Sequence, residues 1–301
     1  MLLAGTSLAI SRIGLVVHEL AGHGGTAVAV GGTVVDAHLF WFAGGWIRYR
    51  VPEITVAEDL AISLGGIAIE TVLGLALWVG LRRPGSLGAC ILRTIGAALL
   101  AHAMFYLATG TWHGYGDGRV IHELAGSARY PIAIAAGLLA CTAGWLGARH
   151  LFGAVVATVP APRLAGALVA IVVAGAVNVV LDVGELRLRR DATYAVTMQP
   201  ERERAVAREL AAWQREQAAP VSDAERAARE RELTSHHRDF PFLWLCGAGV
   251  LAAIVAGAAR SPRRTDLTVT VAPRLLAIAC GTAVISTAAV IAIDAAFHYY
   301  W

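Results

Sequence analysis

The sequence has no lysine: all 25 basic residues are arginine, which reads as coding bias and not as chemistry. Charge of either sign is sparse, at 16% of 301 residues, while 57% are hydrophobic and the mean hydropathy is +0.60. A net charge of +3 gives no electrostatic basis for a nucleic-acid partner. The four cysteines, Cys90, Cys141, Cys246 and Cys280, form no CxxC pair and fall in apolar runs, so neither a disulfide framework nor a thiolate zinc site is indicated.

What is abundant is uninterrupted apolar sequence. Runs long enough for a hydrocarbon core, which takes roughly 20 residues, occupy 3–30, 57–81, 86–109, 131–152, 163–183, 241–259 and 274–298. The expectation is an all-α polytopic membrane protein with about seven transmembrane helices, its partner the lipid bilayer. The first run lacks a basic leader and outlasts a signal-peptide core, so it is expected to stay in the mature chain.

If the spans alternate, Arg82, Arg83, Arg149, Arg163, Arg260, Arg263, Arg264 and Arg274 share one side in short connections, which the positive-inside rule makes cytoplasmic. The opposite side receives 33–54, 110–130, 184–239 and the C-terminus, and the expected setting is a bacterial plasma membrane. Organisation follows: a core over 1–130, two spans over 131–183, an extramembrane segment over 184–239 and two spans over 240–301.

In the extramembrane segment, 200–217 and 222–233 read as helices, opened by Pro200, separated by Pro220 and rich in Ala, Glu and Arg. They fit a solvated helical pair, or a lid. Residues 33–51 instead alternate in β fashion around Ala43-Gly44-Gly45, predicting a small β hairpin at the membrane interface.

Against this apolar background stands His18-Glu19-Leu20-Ala21-Gly22-His23, inside the first run. Two His with a Glu after the first is the zincin arrangement, in which the imidazoles bind Zn²⁺ and the Glu takes a proton from the attacking water. Its usual His spacing is four; here it is five. On a regular helix residues four apart diverge by about 40° and residues five apart by about 140°. A bulged, π-type turn restores them to one face, and Gly22 is placed to permit it. Mutually satisfied core groups are the other reading, although ionisable side chains within a membrane are functional candidates by default.

The spacing resembles the HExxGH form of the dipeptidyl peptidase III family, where both His bind zinc. The order of parts resembles the site-2 protease family of intramembrane zinc metalloproteases: a helix with the zinc motif, a β element, a small-residue patch, and a helix leading to an LDG-type motif. Here these are His18 to His23, the hairpin 33–51, Ser63-Leu64-Gly65-Gly66, and Phe105-Tyr106-Leu107 leading to Gly116-Asp117-Gly118-Arg119-Val120, within roughly 8–130.

The resemblance implies His18, His23 and Asp117 as metal ligands, Glu19 as general base, Zn²⁺ as cofactor, and a transmembrane or membrane-adjacent peptide as substrate, one that can add a strand to the hairpin. Asp117 between glycines also fits a plain turn. His122 and Glu123 begin an echo of the opening motif that lacks its second His, and read as an alternative ligand, an outer-sphere partner or a solvated loop pair, while His113, Glu70 and His102 are candidates for outer-sphere or oxyanion-stabilising roles, or for pairing between helices. A scaffold that keeps its metal without catalysis, a proton or ion transporter, and a membrane lipid hydrolase are the competing functions; no internal repeat of the transporter kind stands out.

Overall fold

The computed structural model describes residues 2–82, 87–155, 163–217, 220–237, 239–261 and 273–300. Of the basic residues used for orientation, Arg83, Arg263 and Arg264 lie outside them.

The chain begins as α1 (Leu2–Val16), passes without a break into a π-helical segment (Val17–Gly24) and resumes as α2 (Gly25–Ala29). Strands β1 (Thr33–Leu39) and β2 (Gly45–Arg50) pair antiparallel, from Thr33 opposite Arg50 to Leu39 opposite Gly45, with an irregularity between Val34 and Asp36. They form the expected hairpin. The next run is two helices, α3 (Val56–Ser63) and α4 (Gly65–Gly80), bent by 51° where a single span was expected. Thr55 starts α3 through a capping box with Glu58.

Then come α5 (Leu87–His113), a 3₁₀ turn (Gly116–Gly118), α6 (Arg119–Leu124) and α7 (Arg129–Val155). Helices α8 (Arg163–Arg189) and α9 (Ala192–Thr197) precede the polar pair α10 (Glu201–Glu216) and α11 (Asp223–His236). Pro200 opens α10, and Ser222 with Glu225 caps α11. The pair shares a small apolar core of Val206, Leu210 and Leu233 with Trp213 against it. Helices α12 (Phe242–Ala259) and α13 (Pro273–Tyr300) complete the chain.

The protein is thus mostly helical with one small sheet. Among the described residues, four helical stretches are long and apolar enough to cross a membrane: Gly88–His113, Gly126–Gly153, Phe242–Ala259 and Ala277–Phe297. The bent α3–α4 pair makes a fifth if it counts as one span. The first run falls outside this set because the π segment divides it into shorter helices.

Polar contacts tie the hairpin to α1, α8 and α13, and α10 to the α5–α6 connection. Buried Arg12 donates from its guanidinium to the carbonyls of Phe40 (2.9 Å), Ala43 (2.8 Å) and Phe42 (2.6 Å). Glu185 of α8 accepts from the amides of the same turn, Trp41 (2.7 Å), Phe42 (2.5 Å) and Ala43 (3.1 Å). A turn bound on both its carbonyls and its amides leaves few buried backbone groups unmet. Asp294 of α13 accepts from the Leu39 amide at 2.9 Å, and Arg204 of α10 donates to the Gly114 carbonyl at 2.7 Å.

Candidate metal centre

The hexapeptide lies entirely within the π segment. The turn is wider than a single bulge: eight successive residues are π-helical, and i→i+5 bonding brings residues five apart above one another. The His18 and His23 rings therefore meet edge to face, with centroids 4.9 Å apart.

Glycine 22 serves a further purpose. A Cβ there would lie 2.5 Å from the Gly66 Cα, so the π segment and the start of α4 touch backbone to backbone. A Cβ on Gly66 would in turn lie 2.4 Å from His18 Nε2. The Gly65-Gly66 pair is the seat in which the His18 imidazole rests, and the bend before α4 brings it there.

Asp117 arrives from the other side. Gly114 and Gly116 take positive φ, +70° and +50°, so the chain leaving α5 reverses sharply and presents Asp117 on the 3₁₀ turn. Its Oδ2 lies 2.9 Å from His18 Nε2 and 3.3 Å from His23 Nε2. One ligand atom from each of the three residues falls within 4.8 Å of the others.

Although close to both nitrogens, the buried Asp117 Oδ2 makes no hydrogen bond of acceptable geometry. His23 Nδ1 donates to the Ile62 carbonyl at 2.6 Å. A carbonyl only accepts, so Nδ1 carries the hydrogen and Nε2 offers its lone pair to the centre. Three ligand atoms gathered this closely could hold a metal ion, and two imidazoles with a carboxylate are a donor set that zinc accepts.

Glu19 is 7% exposed and makes no hydrogen bond or ion pair among the described residues. Glu70, 1% exposed, divides its oxygens between two imidazoles: Oε2 is 2.9 Å from His102 Nδ1, and Oε1 is 3.6 Å from His18 Nδ1. This places Glu70 behind His18, with His102 behind Glu70 on the outer, exposed face of α5.

The other candidates point elsewhere. His122 Nδ1 donates to the Thr111 carbonyl at 3.0 Å, and its Nε2 accepts from Arg129 at 3.1 Å, which ties α6 to the end of α5. Glu123 pairs with Arg119 on the exposed side of α6. His113 binds Asp239 and accepts from the Leu243 amide at 3.2 Å, fastening α5 to the start of α12. Among the described residues, the echo of the opening motif therefore builds no second metal cluster.

Two groups were not legible from motif spacing. Tyr106 stands edge-on to His18, ring centroids 5.8 Å apart, and stacks on His102. Ile62, an ordinary apolar residue in sequence, acts through its backbone carbonyl. The only sequence signal for Tyr106 was its position in the run leading to the Asp117 motif.

The fold and the cluster define a class: a helical protein of membrane type with a buried His₂Asp centre able to hold a metal ion. Compared with protein-family models, curated proteins and solved structures, the chain matches none. Its function rests on the geometry of the site.

Proposed function

We propose that this protein is an intramembrane zinc metalloprotease, similar in plan to the site-2 proteases, that hydrolyses peptide bonds in or beside transmembrane segments. The observation that carries the reading is the π segment, which makes a five-residue His spacing into a facing pair with Asp117 across from it and Glu19 alongside. All seven apolar runs cross the bilayer in this reading, the first as the continuous α1–π–α2 helix. The arginine-rich connections face the cytoplasm of a bacterial cell, and the hairpin and 184–239 face the other side.

Zinc, when bound, supplies the Lewis acidity that brings the pKa of water toward neutrality and polarises a carbonyl. His18, His23 and Asp117 hold it. The Ile62 carbonyl fixes the His23 tautomer, and Glu70 backs His18, so that both Nε2 atoms face inward. Glu19 accepts the proton released as water adds to the scissile carbonyl and returns it to the leaving amine. Burial of the site excludes competing water.

Glu19→Gln separates this function from its rivals. A protease needs Glu19 for turnover and not for metal, so the variant should keep about one zinc per chain and lose cleavage of a membrane peptide. A scaffold or transporter gives no cleavage in either protein, and loss of zinc with Glu19→Gln refutes the general-base role.

A further inference from the structure

Hydrolysis of an amide develops negative charge on the carbonyl oxygen, and a donor fixed beside that oxygen lowers the barrier more than any other single group. The polar side chains around the cluster are mostly spent. His102 is bonded to Glu70, His122 to the Thr111 carbonyl, His113 to Asp239, and the Thr109 hydroxyl donates to the Phe105 carbonyl at 2.9 Å.

Tyr106 is the exception. Its hydroxyl has one partner, the Met198 thioether sulfur at 3.6 Å, which is a weak acceptor. Its position is tightly set. The ring is edge-on to His18 at 62° and stacked on His102 with centroids 6.2 Å apart. The hydroxyl presses against Gly116, where a Cβ would come within 2.0 Å of it, one residue before the ligand Asp117. Only glycine at 116 leaves room for the phenol, and the same residue takes the positive φ that turns Asp117 inward. A rigid O–H donor with its hydrogen bond nearly unused thus stands at the edge of the His₂Asp centre.

We propose that the Tyr106 hydroxyl is a catalytic hydrogen-bond donor to the oxygen of the scissile carbonyl, an assignment that rests on the peptide-hydrolysis reading above. Water adds to the carbonyl carbon as its proton passes to Glu19, and the C=O π pair moves onto the oxygen. Tyr106 donates a hydrogen bond to that oxygen and keeps its proton. When the C–N bond breaks, its electron pair stays on nitrogen, which takes the Glu19 proton, the oxygen pair returns to re-form C=O, and the new carboxylic acid passes its proton to the amine, so that a carboxylate and an ammonium leave. The Met198 contact yields as substrate enters, because a thioether competes poorly with a developing oxyanion.

The test uses the full chain in detergent micelles with two probes: an internally quenched apolar peptide flanked by arginines, and a phosphinic peptide whose anionic oxygens imitate the tetrahedral species. Tyr106→Phe keeps the ring, so it should bind zinc like the wild type. It should lower kcat by about 100-fold with KM changed by less than about threefold, and weaken the phosphinic peptide by at least about 10-fold. Wild-type kcat and wild-type phosphinic affinity in Tyr106→Phe overturn the assignment, as does loss of zinc, which makes the hydroxyl structural. If the quenched peptide is cleaved by neither protein, the phosphinic affinities decide alone. An active Tyr106→Phe beside an inactive Glu19→Gln removes Tyr106 and leaves the protease standing. A wild type that binds neither zinc nor the phosphinic peptide removes both.

Discussion

Gly66→Ala tests whether the metal centre depends on close backbone contact. The added Cβ would lie 2.4 Å from His18 Nε2 and 2.6 Å from Cδ2 and Cε1, against the 3.4 Å at which ordinary contact begins, so ring or helix must give by about 1 Å. The ring has nowhere simple to go, since Glu70 lies behind it and His23 stands 4.9 Å away. Forcing a side chain into such a seat costs about 1–3 kcal/mol, and a 1 Å displacement at a reacting centre costs about 100-fold in rate. Gly66→Ala should therefore weaken zinc binding by at least about 10-fold and lower the melting temperature in detergent. Gly175→Ala is the control: it also lies inside a helix, but its Cβ would meet nothing within 4 Å, so only the favourable helix propensity of alanine, up to about 1 kcal/mol, remains. Competition with a chromophoric chelator reads affinity, and a melting curve reads stability. Wild-type zinc affinity in Gly66→Ala, with no loss of melting temperature, refutes the idea that this glycine seats His18.

Asp117→Ala should reduce bound zinc from about one per chain to near none, measured by elemental mass spectrometry. His122→Ala should leave that value unchanged, because its ring is spent on Thr111 and Arg129. Arg12→Met leaves three turn carbonyls unmet while Glu185 keeps its ion pair with Arg189, and should destabilise by about 1–3 kcal/mol; the melting temperature checks it, and a shift no larger than that of a surface substitution contradicts it. Glu201, partly desolvated but bonded to Arg208 and Arg204, has its carboxyl held below the usual range. A lowered carboxyl pKa contributes stability that is present above the unfolded value, about 4.3, and lost as pH falls through the folded value. The contact of α10 with Gly114 should hold at neutral pH and loosen in acid below about pH 4, seen as faster amide hydrogen exchange at Gly114 and Tyr115.

Much of the local structure was legible because it depends on neighbours in sequence. Pro200 before α10, Pro220 before α11, and the β-rich runs around Gly44-Gly45 each specify an element within a few residues. The span at 57–81 was read as straight because its hydropathy is continuous. The bend appears only where Gly65 and Gly66 must meet Gly22. Likewise His122 and Glu123 look like a second motif on paper, and only Thr111, Arg129 and Arg119 reveal them as fastenings.

By itself the sequence determined a lipid-seeking chain and a pair of histidines whose spacing demands a π turn, since hydropathy and helical phase are local quantities. The tertiary structure decided what the order of motifs could only suggest, that Asp117 lies against both histidines with Glu70 and His102 behind His18, and it alone showed that Gly66 seats His18 and that Tyr106 keeps an unspent hydroxyl beside them. Those are distances between segments far apart along the chain. They are set by how closely helices can approach, which no spacing within one helix records.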